Sequence, residues 1–260
     1  MQLDPRGSYF MPVSIPQRAL KAGVFEDVLF LSTSYLSDKD ALAALLPLPF
    51  EPADVPLVTV CYQQCPKVNF LAGRGYNMIG VNLATFFNGK KDQLAGNFSL
   101  VLWENQMNPI LRGRELLGIP KLLADIPDPS YNDNKWHAYG AENDRILLEL
   151  EIDQAQLQSE EYVSQKNAVQ EHWLGWKYIP NIDGIGAALS QPTLIGRETH
   201  LMEIRLGKGS VRYGTLTWES NPSTVDVVEA LMTLVMREYV ESSASLGTMT
   251  ITRSLNRVLE

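Results

Sequence analysis

Gly80-Val81-Asn82-Leu83-Ala84-Thr85-Phe86-Phe87, then Asn88-Gly89, then Asn97-Phe98-Ser99-Leu100-Val101-Leu102-Trp103 is the stretch that decides the fold. Two runs rich in β-branched and aromatic residues flank an Asn-Gly pair, the strongest short-range signal for a hairpin. Strand signals recur on both sides. Val28–Thr33 and Leu57–Tyr62 are short β-branched and aromatic runs, and Arg145–Ile152 alternates. Leu201–Leu206 and Val211–Trp218 flank Gly207-Lys208-Gly209-Ser210 and predict a further hairpin. Helix signals are fewer. Ser37-Asp38-Lys39-Asp40 reads as a capping box before a helix over Ala41–Leu46, which Pro47 stops. Ser223-Thr224-Val225-Asp226 opens a second helix, predicted to run to about Val240. A third, weaker helix is predicted over Asp153–Lys166. Pro127 to Asn134 is the clearest loop. Strand-like segments lie on both sides of it, so residues 1–260 are read as a single domain. Many hairpins with few helices predict a β-rich α+β fold whose antiparallel sheet curls on itself.

Composition narrows the function classes. Charged residues make up 20% of the chain and the formal net charge is -8, which argues against nucleic acid or an anionic membrane as partner. Cys61 and Cys65 are the two cysteines, spaced C-x3-C without a second ligand pair, so neither a zinc site nor a disulfide framework is expected. That usage suits a reducing cytosol, and a cytoplasmic location is the expectation. Met1-Gln2-Leu3-Asp4-Pro5-Arg6 has no apolar signal region, and no apolar run is long enough to span a bilayer as a helix. The chain has no G-x-S-x-G elbow, P-loop or complete dinucleotide fingerprint, so no cofactor is expected. His137, His172 and His200 are widely separated, and Cys61 reads first as a small core residue.

One residue stands out from this background. Lys121 follows Leu116-Leu117-Gly118-Ile119-Pro120 and precedes Leu122-Leu123-Ala124, eight neighbours without a charge. Burial disfavours an ammonium, so a lysine in a dry pocket can be a free amine near neutral pH and attack a carbonyl. The plainer reading is a lysine whose stem lies on apolar surface and whose head reaches water. Arg112-Gly113-Arg114-Glu115 precedes the run; Arg114 and Glu115 are candidates to bind a substrate carboxylate or orient the lysine, or else to pair with their neighbours.

Gly113-Arg114-Glu115-Leu116-x-x-Ile119-Pro120-Lys121 resembles the G-R-E-x-x-x-x-P-K active-site segment of the acetoacetate decarboxylase-like superfamily. Lys177-Tyr178-Ile179-Pro180-Asn181-Ile182-Asp183-Gly184 resembles a second segment, K-x-I-P-N-x-D-G, at similar spacing. Weaker similarity covers Asp40–Tyr62, the Phe87-Asn88-Gly89 turn and Thr217-Trp218. The resemblance implies a sheet closed into a cone-shaped barrel with a few flanking helices, a homo-oligomer, and Lys121 as a Schiff-base nucleophile toward a small keto or carbonyl substrate.

The chain departs from the pattern at several points. Leu122 stands where family decarboxylases carry a second lysine, which acts by like-charge repulsion. The family's pocket glutamates align at Met78 and Cys61, and its carboxylate-binding arginine near Val28, beside Glu26 and Asp27. The implied pocket is apolar, with Lys121 governed by dryness rather than by a partner charge. Tyr76, Met78 and Trp103, if they face it, suit a larger apolar carbonyl compound, although aromatic residues and methionine fill cores routinely. Cys61 and Leu122 complete the expected wall. The reading is a carbon–carbon lyase, with aldolase or aldolase-dehydratase chemistry slightly ahead of β-keto acid decarboxylation. Its rivals are a binding barrel without catalysis and a non-covalent cyclase or isomerase on an apolar substrate.

Overall fold

Burial alternates along Ala22–Leu36, and every second residue from Leu29 to Tyr35 is buried, as a half-covered strand requires. The structure is a computed structural model that describes residues 7, 9–13 and 20–260. Met1–Arg6, read above for a signal, lies outside the described residues. In chain order the first strands are β1 (Ala22–Leu36), β2 (Phe50–Pro52), β3 (Leu57–Cys65), β4 (Lys67–Val68), β5 (Tyr76–Asn88) and β6 (Gln93–Glu104). Then come β7 (Lys121–Leu123), β8 (Ser130–Asn132), β9 (Lys135–Glu142), β10 (Arg145–Leu157) and β11 (Trp173–Pro180). Last are β12 (Ala187–Ile195), β13 (Arg197–Tyr213), β14 (Glu238–Thr252) and β15 (Arg257–Val258). Four α-helices accompany them among the described residues: α1 (Lys39–Leu45), α2 (Met107–Arg112), α3 (Glu160–Ala168) and α4 (Val225–Met232).

All these strands join one sheet, in the order β15-β12-β11-β6-β5-β3-β1-β14-β13-β10-β9-β8, with β2, β4 and β7 pairing off that path. Pairing is antiparallel except where β6 meets β7 and β11. The mostly-sheet α+β class is therefore as expected. Closure is not: the path of strand pairs is open, and the terminal strands β15 and β8 do not pair with each other.

Three local expectations also change. Gly207 and Gly209 are not turn residues, because β13 runs unbroken through both. A side chain at Gly207 would meet the carbonyl oxygen of Asp153 at 2.5 Å, and one at Gly209 the hydroxyl oxygens of Ser242 and Thr33 at 2.1 and 2.2 Å. The glycines admit neighbours rather than reverse the chain. The helix from Val225 ends at Met232, since the chain re-enters the sheet at Glu238. The segment from Asp153 stays in β10 to Leu157 before α3 begins at Glu160.

Two apolar clusters result. The larger holds Trp103, Tyr35, Tyr62, Phe50 and Phe87, all essentially inaccessible. Burying side chains of this kind contributes about 1.5–3 kcal/mol each, so the larger cluster dominates stability. The smaller gathers Phe25, Val28, Cys65, Tyr76, Met78, Leu102, Ile119, Ile195 and Met249. Among the described residues, no helix is long and apolar enough to cross a membrane.

Candidate active site

Lys121 reaches the smaller cluster through a tightly constrained loop. Helix α2 runs into a π-helical turn, Gly113–Leu117, which Gly118 closes in the left-handed conformation at φ 76°. Glycine adopts that conformation without a Cβ penalty. The Lys121 amide donates to the Ile119 carbonyl at 2.8 Å across Pro120, and the Leu102 amide donates to the Pro120 carbonyl at 3.1 Å. Strand β7 then pairs in parallel with the end of β6, Leu102 opposite Lys121 and Trp103 opposite Leu122. Side chains alternate faces along a strand. Leu102 and Glu104 therefore share a face with Lys121, and Trp103 shares the opposite face with Leu122.

Lys121 is 7% exposed, and its ammonium lies 2.7 Å from Glu104 Oε1, a carboxylate with no exposure at all. The ammonium also donates to the Pro109 carbonyl at 3.2 Å. The contact with Glu104 is an ion pair rather than an aligned hydrogen bond, and neither carboxylate oxygen receives an aligned donor. Burial raises the Glu104 carboxyl above the usual range, opposed by the Lys121 charge. The expectation that dryness alone governs Lys121 is thus corrected: a carboxylate touches it. Met78 is the direct cross-strand partner of Glu104 on β5, so the acid stands one strand away from the position that the resemblance assigned.

The lysine end opens into a cavity of about 100 Å³ walled by Phe25, Tyr76, Pro109, Gly113, Leu116 and Ile251, with Arg112 and Arg253 also reaching it. Tyr76 is 5% exposed, and burial pushes its phenol well up, so it remains an O–H donor near neutral pH. Met78 and Cys61 are buried but stand outside the cavity wall. The Cys61 thiol accepts from Asn82 Nδ2 at 3.4 Å, and burial raises its pKa. Trp103 and Leu122 belong to the larger cluster, because alternation turns both away from Lys121. Arg114 does not reach the cavity. Its Nη1 donates to the Lys121 carbonyl at 2.9 Å and holds the main chain at Lys121. Glu115 is also outside the cavity wall and joins no ion pair among the described residues.

The strand that carries the second motif backs the first. Trp176 N–H donates to the Gly118 carbonyl at 3.2 Å, and a side chain at Gly118 would meet the Lys177 amide at 2.5 Å. Thr193 Oγ1 donates to the Leu117 carbonyl at 2.8 Å. Strands β11 and β12 therefore support the lysine loop from outside through Trp176, Lys177 and Thr193, while Ile182 and Ile185 of the hairpin between them project into solvent.

The profile of the acetoacetate decarboxylase family matches residues 10–254. The chain belongs to the acetoacetate decarboxylase family. Acetoacetate decarboxylases of Burkholderia cenocepacia and Burkholderia ambifaria are each 30% identical over 138 residues, 53% of this chain and 52% of theirs. The match thus spans about half the length of those relatives. Family folds cover more. The acetoacetate decarboxylase of Legionella pneumophila superposes with a TM-score of 0.75 at 18% identity, covering 96% of this chain and 93% of that one. An acetoacetate decarboxylase-like enzyme from Sphingomonas wittichii RW1 gives 0.71 at 17% identity over 98% of this chain and 99% of that one. The enduracididine biosynthesis enzyme MppR, solved with pyruvate, gives 0.69 at 14% identity over 99% of both chains. At these identities the likeness establishes the fold.

Glu104 was not found from sequence, nor was Arg197, whose Nε is buried at the start of β13 without an acceptor. Glu104 ends the apolar run Phe98–Trp103, and its place on the alternating face was the available signal. Arg197 lies in the polar stretch Gly196-Arg197-Glu198-Thr199-His200, which carries no such signal.

Proposed function

We propose that this protein is a carbon–carbon lyase that forms an imine between Lys121 and a small keto acid. The observation that carries the reading is the buried Lys121 ammonium at the cavity wall, 2.7 Å from the Glu104 carboxylate. Family membership supports it, as do relatives named acetoacetate decarboxylase. Glu104 takes the Lys121 proton, and the free amine attacks the substrate carbonyl carbon. The carbinolamine loses its hydroxyl as water when Glu104 returns a proton. The imine nitrogen then accepts the electron pair of the breaking carbon–carbon bond. If carbon dioxide leaves, the step is decarboxylation; if an aldehyde leaves, it is retro-aldol cleavage. Either way an enamine remains, gains a proton at carbon, and is hydrolysed to ketone and free lysine. Tyr76 supplies a neutral donor to the developing alkoxide.

Of the two directions the aldol is slightly favoured, since Leu122 stands where the family's decarboxylases carry a second lysine. The test is borohydride trapping with pyruvate and with acetoacetate, read by peptide mass, together with assays for carbon dioxide and aldehyde release. A reduced adduct confined to Lys121 is expected, absent in Lys121→Met. Glu104→Gln should lower turnover by about 10²-fold or more, the usual contribution of a positioned acid–base group. An adduct that persists in Lys121→Met, or undiminished turnover in Glu104→Gln, defeats the mechanism.

A further inference from the structure

Arg197 is anomalous. It opens β13, and its Nε is buried without a hydrogen-bond acceptor. Among the described residues it donates no hydrogen bond and joins no ion pair; Glu171 attracts it without approaching to ion-pair distance. Its guanidinium carbon sits 3.7 Å from the centroid of the Trp173 ring, which fixes the plane of the fork. Arg197 as a whole is part-exposed, but a buried guanidinium N–H without an acceptor is costly unless an anion completes it.

Its position indicates which anion. Arg197 and Ile251 are cross-strand partners, so their side chains leave the same face of the sheet. Ile251 walls the Lys121 cavity, Arg197 stands beside it just outside that wall, and both Ile251 and Trp173 pack against the smaller cluster. Cys65, inside that cluster, is governed first by burial and also feels the charges of Glu104, Arg197 and Lys121. Other cations are committed. Arg112 Nε donates to Asn108 Oδ1 at 3.0 Å and its guanidinium lies over the Phe10 ring, while Arg253 is engaged as well. Val28, where the resemblance placed an arginine, is buried hydrocarbon opposite Gly247.

We propose that Arg197 receives the substrate carboxylate, its bidentate fork replacing from β13 the arginine that β1 lacks. This rests on the keto acid reading above and adds the residue that selects the acid over a neutral ketone. A planar fork held on an indole suits a carboxylate in two parallel hydrogen bonds.

The test compares pyruvate with its neutral methyl ester in borohydride trapping. Arg197→Gln should raise the pyruvate concentration for half-maximal trapping by about 10- to 100-fold, the worth of hydrogen bonds to a charged group, and leave methyl pyruvate unchanged. Arg197→Lys keeps the charge and the fold but loses the fork, and should fall between. Equal losses for acid and ester would overturn the proposal, as would discrimination that survives Arg197→Gln and disappears in Arg112→Gln. A second arm avoids imine chemistry. Calorimetry with lactate, against neutral lactamide, should show lactate binding to the parent protein and to Lys121→Met but not to Arg197→Gln. Lactate binding that is equal in Arg197→Gln, or absent in the parent at tens of millimolar, overturns the proposal. Failure of trapping with every carbonyl, alongside lactate binding that needs Arg197, would sink the Schiff-base reading and leave the anion site standing.

Discussion

At the scale of single residues, the site is a matter of clearance. Gly113 has ordinary helical angles, so its backbone does not need glycine. Its neighbour does: a side chain there would lie 2.4 Å from Lys121 Cδ and Cε and 2.9 Å from Nζ. Gly113→Ala should therefore separate stability from activity. Helix propensity favours alanine over glycine by up to about 1 kcal/mol, so the melting temperature should hold. The displaced amine should trap carbonyl compounds about 10²-fold more slowly, the loss expected from a misplacement near 1 Å. Thermal melts and trapping rates on the same sample check both halves; parent-like trapping would mean that the lysine has room to spare. This scale also shows what a sequence can disclose. Lys121 was legible because its apolar neighbours are its neighbours in the chain. Glu104 was not, because seventeen positions separate it from Lys121 and only the parallel pairing of β6 with β7 brings them together.

At the scale of elements, strand parity assigns the roles. Leu122 partners Trp103 and packs against the larger cluster, so the position after the lysine faces away from the cavity. Leu122→Lys should not activate Lys121 as an adjacent ammonium would. It should instead set a charge against an apolar core at a cost of about 1–3 kcal/mol, in the ordinary range for a disruptive substitution. The urea midpoint should fall while the pH dependence of trapping stays in place, and a profile shifted to lower pH would contradict this. Parity was readable in the hairpin of β5 and β6, which predicted strands over most of their observed length. It failed around Gly207 and Gly209. Glycine marks both a turn and a close approach between chains, and only the third dimension tells Ser242 and Thr33 beside Gly209 from an open bend.

For the whole molecule, one feature ties distant segments together. Arg257 Nη1 and Nη2 each donate to the Asp92 carboxylate at 2.7 Å, and the Glu260 amide adds a third bond at 2.9 Å. These fasten β15 to the turn between β5 and β6. The arginine and the amide hold the Asp92 carboxyl down at about 2, against an ordinary value of 3.8. The folded pKa is the lower one, so the clasp contributes fully above pH 3.8 and is lost as pH falls toward 2. Hydrogen exchange at Thr193 and Leu194, which β15 pairs, should accelerate relative to the intrinsic amide rate across that window. In Asp92→Asn it should already be fast at pH 6 and change little on acidification; identical profiles in the two proteins would exclude the clasp. A sequence could announce neither this tie nor the open path of the sheet, since both depend on which strands come to lie at its ends.

The two apolar clusters divide the labour of the chain. The larger one, with Trp103, Tyr35 and Tyr62, supplies most of the folding free energy, while Lys121, Glu104 and Tyr76 gather at the smaller. Ile195, Met249 and Ile251 can therefore be exchanged for side chains of other shapes at modest expense to folding. The protein has a mould that can be recut around a stationary lysine, which, on the imine chemistry proposed above, makes it a tractable starting point for redirection to new carbonyl compounds.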